Sequence, residues 1–195
     1  MKKRLPQIFF ILGGLFLLTL FFLPLWRITL LAPQYPNGVD MYIFINKIGG
    51  SEPGTLQNIN ILNHYIGMKP IEPDSIPELK ILPIVVLVFS GLALIFAFIN
   101  NKYLFAFWVV LFIIACMIGL YDFYLWEYDY GHNLSDDAPM KFEGESFQPP
   151  LIGNKDIINF IAKSWPHWGG YMAMISIFLT ATATYLKFKT NETTE

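Results

Sequence analysis

Cysteine and charge are both scarce in this chain. Cys116 is the single cysteine among 195 residues, so no intramolecular disulfide can form and no cysteine-based metal or redox motif is present. Set in the middle of an apolar run, its thiol reads as a small buried hydrophobe. Charged residues make up 14 %, and 13 lysines and arginines against 15 acids give a net charge of -2. No basic stripe exists beyond a few lysines that flank apolar runs, which excludes a nucleic-acid partner. Ser-His-Asp spacing, a glycine loop that cradles phosphate and a zincin helix are all missing. The acids Asp122, Glu127, Asp129, Asp136 and Asp137 cluster in what reads as a solvated loop, where charge usually serves solvation rather than proton transfer. An enzyme is therefore not expected. Haem is not expected either, because no C-x-x-C-H run occurs and no pair of histidines sits on two spans.

Apolar residues are what the chain has in quantity, at 54 % of the total with 17 % aromatic, and that composition belongs to the membrane class. Lys2, Lys3 and Arg4 precede an uncharged run from Ile8 to Trp26, about the length that crosses a ~30 Å hydrocarbon core at 1.5 Å per residue. The run is long for a signal peptide and has no small-x-small site close behind it, so it reads as an uncleaved anchor. Three more runs qualify as spans: Ile81 to Ile99, Tyr103 to Tyr121 and Tyr171 to Leu186. Only Asn100, Asn101 and Lys102 separate the second from the third, which makes those two a tight antiparallel hairpin. Lys2, Lys3 and Arg4, then Lys102, then Lys187 and Lys189 fall in short segments that four spans place on one side, so that side is cytoplasmic. Almost nothing ionisable lies within the spans, which argues against a transporter. Ser90, Ser176, Thr180, Thr182 and Thr184 can return their hydrogen bonds to backbone, and Gly13, Gly14, Gly91, Ala93 and Ala181 suit close helix packing.

The expected organisation is a basic start and first span (1–26), a first outer segment (27–80), a transmembrane hairpin (81–121), a second outer segment (122–170), a fourth span (171–186) and a cytoplasmic tail (187–195). In the first outer segment LAPQYPNG carries turn chemistry. Val39 to Asn46 alternates and predicts a strand, with Val39, Met41, Ile43 and Ile45 on one side. Leu56 to Ile66 has helical spacing with a stop at Gly67. In the second, Tyr121 to Trp126 suits an aromatic belt, Gly131 permits a turn beside His132, and a short helix is expected from Asn154 to Ser164. Gly169 and Gly170 suggest close backbone approach. The fold expected is a membrane protein whose transmembrane part is an all-α four-helix bundle, under a small mixed α/β extracytoplasmic cap built from the two loops.

Within NILNHYIGM, His64 and Met68 stand four residues apart, which would put them on one helix face unless the helix stops at Gly67. An imidazole with a thioether suits a soft, late-row metal, Cu(I) first and c-type haem iron second. All three histidines, His64, His132 and His167, fall in the outer segments, beside Met68, Met140 and Met172. That is an N/S donor set without cysteine, in a compartment where thiols would oxidise. His64 and Met68 are the expected core ligands, with His132, His167 or Met140 completing the site. A bland reading stands beside it, in which His64 caps locally and Met68 fills a gap.

The strings LAPQYPNG, INILNHYIGMKPI, EYDYGHNL, APMKF and FQPPLIGNK resemble a family of small multi-span bacterial membrane proteins, often encoded among the accessory genes of nitrous oxide reductase. The resemblance covers nearly all of the outer part and the ends of several spans, and NHYIGM and YDYGH are its most specific strings. It implies an accessory protein of the bacterial inner membrane that supports maturation of a periplasmic copper enzyme by handling Cu(I), in contact with lipid and with a protein partner in that assembly. His64, Met68 and His132 lie within matching strings and carry over as candidate ligands. Where the family has a proline-glycine-methionine turn ahead of QPPLIG, this chain reads FEGESF with Glu145, and no ligand carries over there. The alternative, from another class, is a metal-free structural subunit of a membrane transport or electron-transfer complex, and a third is a quinol-side redox subunit.

Overall fold

The structure is a computed structural model that describes residues 4–140, 146–157 and 160–192; Glu145 lies outside them. Helix α1 (Leu5–Leu18) has Pro6 in its first turn, where a missing N–H costs nothing, and continues as a 3₁₀ turn over Thr19–Phe21. Among the described residues three helices are long and apolar enough to cross a membrane: α3 (Glu78–Ile99), α4 (Lys102–His132) and α5 (Trp168–Glu192). The α1 stretch is a shorter apolar helix, Leu5–Phe21. The four expected spans are thus three long helices and one short one. The first ends well before Trp26, because Pro24 cannot donate to a continuing helix and Leu25 N–H turns to the carbonyl of Ile43 at 2.7 Å. Large side chains on the outer helix faces, among them Ile84, Phe98, Ile118 and Phe178, are exposed, which is compatible with lipid contact.

Helix α1 sits between α3 and α5 at its two glycines. Ser176 Oγ donates to the carbonyl of Gly13 at 2.8 Å and Ser90 Oγ to that of Gly14 at 2.9 Å. A Cβ on Gly13 would lie 2.5 Å from Thr180 Cγ2, and one on Gly14 would lie 2.7 Å from Ala93 Cβ. Small residues therefore set the helix spacing, as their sequence pattern suggests. Gly91 does not share this role, since a Cβ there meets nothing within 4 Å. Phe10, stacked on Phe105 at 3.9 Å and edge-on to Trp108 at 5.4 Å, brings α4 against α1. Between α3 and α4, Asn100 takes a left-handed φ of 57° and Asn101 caps α4 by accepting from Tyr103 N–H. The hairpin is as tight as its three-residue link requires.

Above the helices lies a five-stranded antiparallel sheet of β1 (Trp26–Ala32), β2 (Tyr35–Ile43), β3 (Ile48–Gly50), β4 (Gly153–Ile157) and β5 (Phe160–Pro166), in the order β3-β2-β1-β5-β4. The two connecting segments share this sheet, because β1 pairs with β5 from Trp26 opposite Pro166 to Leu31 opposite Ile161. Val39 and Met41 face inward along β2 as their alternation predicts, although the strand starts earlier, at Tyr35. A helix is expected over 154–164, but the described residues of that stretch lie in β4 and β5, and 158–159 lie outside the described residues. Ala162 and Ser164 are buried while Ile161 and Trp165 are exposed, a period of two that pairing with β1 enforces. Helix α2 (Thr55–Ile66) stops where expected, with Gly67 at φ 80° and Met68 N–H bonded back to the carbonyl of Asn63 at 2.9 Å.

The larger departure is α4, which runs on past Tyr121 to His132 and packs its outer end under the sheet. The aromatic run after Tyr121 divides into two helix faces. Phe123, Trp126 and Tyr130 join Trp26, Ile28 and Met41 in the core beneath the sheet, whereas Tyr124 and Tyr128 face out. Gly131 makes no turn; a Cβ there would lie 2.3 Å from Gln148 N, so glycine lets the returning chain cross α4.

Substituting Gly14 by Val is expected to lower the thermal midpoint of detergent-purified protein, in line with about 1–3 kcal/mol for overpacking. Gly91→Ala, in open space, should leave it unchanged or slightly raised. An equal loss in Gly91→Ala would mean that the contact with Ala93 does not set the effect.

Candidate functional site

Where the sheet, the end of α2 and the outer end of α4 meet, they enclose a cavity of about 140 Å³. Its walls are almost wholly apolar, with Ile28, Leu30, Ile59, Ile66, Trp126 and Phe147 among them. Three methionines line it from separate parts of the chain: Met41 from β2, Met68 from just beyond α2 and Met140 from the segment after α4. Met140 is held there by its N–H to the carbonyl of Tyr65 at 3.0 Å, and the same segment bonds Ser135 N–H to the carbonyl of Gly67 at 2.8 Å. A Cβ on Gly67 would meet Ala138 Cβ at 2.9 Å. That glycine therefore both ends α2 and admits the second segment.

Glu127 is the other notable wall residue. Its side chain is fully buried, and neither carboxyl oxygen has a hydrogen-bond partner among the described residues. Two other polar side chains of the wall are bonded: Asn63 Nδ2 donates to the carbonyl of Lys69 at 3.3 Å, and Tyr130 Oη to that of Pro70 at 3.1 Å. No Lys, Arg or His is among the described residues that line the cavity. An ionised carboxyl here has lost its water with nothing in return, a cost of several kcal/mol in an apolar setting. The reading of Glu127 as a solvated loop acid is corrected. Its neighbours Asp122, Asp136 and Asp137 are exposed, and Asp129 pairs with Lys69 at 2.8 Å. Helical numbering explains the difference, because Phe123, Trp126, Glu127 and Tyr130 share one face once α4 continues.

Of the expected ligands, Met68 and Met140 come together on this cavity and the histidines do not line it. The stop at Gly67 turns Met68 inward, while His64 stays on the exposed face of α2, in a shallow groove with Gln57, Asn60, Ile61 and Tyr65. His132 is exposed at the end of α4, stacked on Tyr128 at 3.9 Å with Nδ1–H donating to the carbonyl of that residue at 2.9 Å. His167 lies at the other end of the sheet, edge-on to Tyr42 at 5.2 Å, with its N–H on the carbonyl of Leu25 at 2.9 Å. Met172 packs into the helical core. Among the described residues no three His, Cys, Asp or Glu side chains gather as a metal site. A thioether set such as Met41, Met68 and Met140 is a different kind of donor group, soft and uncharged. No protein-family model matches the chain, and no curated protein matches it by sequence.

Burial and then the Arg27 charge hold His167 below its ordinary value of 6.5, with Asp40 opposing them, and its Nδ1 is buried without a partner. The folded protein thus favours the neutral ring. The stability this confers is present above 6.5 and is lost as pH falls through the lower folded value. The thermal midpoint should fall on acidification from about pH 7.5 to about pH 5, and His167→Phe, which keeps a ring against Tyr42, should flatten that slope. An unchanged slope in the variant would assign the acid sensitivity elsewhere.

Glu127→Leu is expected to raise the thermal midpoint, in line with about 1–3 kcal/mol for removing a buried group that makes no hydrogen bond. A lower midpoint would show that the carboxyl supports the fold.

Proposed function

We propose that this chain is a membrane accessory protein, not an enzyme, that binds or passes Cu(I) on the outer side of the bacterial inner membrane and so supports maturation of a copper enzyme such as nitrous oxide reductase. The reading takes both termini as cytoplasmic and the sheet as extracytoplasmic. Its main support is that Met41, Met68 and Met140 line one cavity, since thioethers are donors for a soft monovalent ion and poor ones for hard cations. The unpartnered oxygens of Glu127 on the same wall are a second point of fit. In this reading Met68 and Met140, with Met41 beside them, are the candidate ligands. His64, His132 and His167 lie outside the cavity and take no part in holding an ion there. Bound at such a site, Cu(I) would be shielded from water and from oxidation, and Met140, at 45 % exposure, would be the side from which it is handed on.

The test is titration of detergent-purified protein with Cu(I) under reducing conditions against a competing chelator. The expected result is one equivalent bound by the wild type, and affinity lost by at least ~10-fold in Met68→Leu/Met140→Leu, swaps that conserve volume. Absence of binding, or binding indifferent to both substitutions, would overturn the proposal. A second reading, a metal-free structural subunit, draws on the exposed ring ladder of Tyr124, Tyr128 and His132 along α4. Stable co-purification of a membrane complex without bound metal would favour it.

A further inference from the structure

No hydrogen bond among the described residues accounts for the burial of Glu127. Its side chain is fully buried, both oxygens lack partners, and it lines the same cavity as three thioethers. It is also the only acid among the described residues that line that cavity, and no basic side chain there offsets it. On releasing its proton to solvent as an ion enters, a carboxyl so placed is complementary to a single positive charge brought in from outside. We infer that Glu127 is the anionic donor of the site, completing with Met41, Met68 and Met140 a neutral pocket that selects soft monovalent cations.

The selectivity follows from two independent properties of the donors. One carboxylate neutralises one unit of charge, so a divalent ion would leave a net positive charge in an apolar wall, which is unfavourable. Thioethers are neutral and polarisable, so sodium or potassium, which need many hard oxygen donors, gain little from them. Cu(I) and Ag(I) meet both conditions, whereas Zn(II) fails the first. Lys69, the nearest base in sequence to Met68, is already paired with Asp129 at the surface. This inference rests on the copper reading but can fail without it.

The experiment uses the full chain in detergent, with Ag(I) as a redox-inert probe beside Cu(I) and Zn(II), and compares wild type, Glu127→Gln and Met68→Leu/Met140→Leu. The expected result is a loss of at least ~30-fold in Ag(I) affinity for Glu127→Gln, a comparable loss for the methionine pair, and Zn(II) bound at least ~100-fold more weakly than Ag(I) by the wild type. Infrared difference spectra of the wild type should show its carboxyl band shifting on Ag(I) addition, a readout that needs no variant to fold. Wild-type affinity in Glu127→Gln, or an unshifted carboxyl band, overturns this role for Glu127 while leaving the copper reading intact if the methionine pair still fails to bind. Zn(II) bound as tightly as Ag(I) overturns the charge argument. No Ag(I) or Cu(I) binding by the wild type removes both.

Discussion

The pairing of β1 with β5 is the constraint on which the cap depends, because it joins strands that follow α1 and precede α5 into one sheet. It is secured at the helical end by backbone contact. Gly169 N–H donates to the carbonyl of Pro24 at 2.8 Å and His167 N–H to that of Leu25 at 2.9 Å. A Cβ on Gly169 would lie 2.7 Å from the carbonyl oxygen of Leu23, and one on Gly170 2.7 Å from that of Leu25. Only glycines admit two chains this close. The arrangement also satisfies polar backbone groups where the chain leaves its apolar helices, which water could not do within lipid. Trp26 adds a side-chain tie, its indole N–H donating to Ser164 Oγ at 2.7 Å across the same pair of strands.

From that junction the position of the cavity follows. β1 carries β2 and hence Met41 beside it, and the stop at Gly67 returns Met68 under the same sheet face. The opposite wall is α4, a single helix from Lys102 to His132 that is anchored among the apolar helices by Phe105 and Trp108 and reaches the cap with Trp126, Glu127 and Tyr130. A wall that is continuous with a packed helix is stiffer than one made of loop, and it holds its side chains in fixed positions. Ser90 and Ser176, which donate to the carbonyls of Gly14 and Gly13, hold α1 against its neighbours and so fix the base from which β1 rises.

Much of this was legible in the residues. Apolar length gave the helices, Asn100 and Asn101 the hairpin, the alternation of Val39 and Met41 an inward face, and Gly67 the end of α2. What failed did so for tertiary reasons. The 154–164 stretch carries local helix spacing, yet Ala162 and Ser164 are small enough to pack beneath the sheet, and β1 supplies hydrogen bonds that no local pattern reveals. Asp122 marks the end of the apolar run in α4, but a charge ends a span and not a helix, so the helical face of Phe123, Trp126, Glu127 and Tyr130 went unread. For the same reason proximity in sequence groups Glu127 with Asp129, although the helix turns the first inward and the second toward solvent. His64 and Met68, close in sequence, face opposite ways because one residue, Gly67, lies between helix and return.

Methionine alone would not distinguish a ligand site from a core, since its flexible side chain is a common filler of irregular gaps. The combination in this cavity is harder to explain by packing. Filling is what a core achieves, yet about 140 Å³ is left open here, a volume that would cost up to about 3 kcal/mol were it sealed and empty. Beside it stands a carboxyl with no hydrogen bond, whose replacement by an aliphatic side chain would remove a second penalty. A buried carboxyl without a hydrogen bond beside open volume is not what stability by itself would retain. Conflicts of this kind between local chemistry and packing concentrate where a ligand resolves them. In the proposed copper reading a soft cation would do so, placing atoms in the open volume and charge against Glu127, with the thioethers as donors as well as filler.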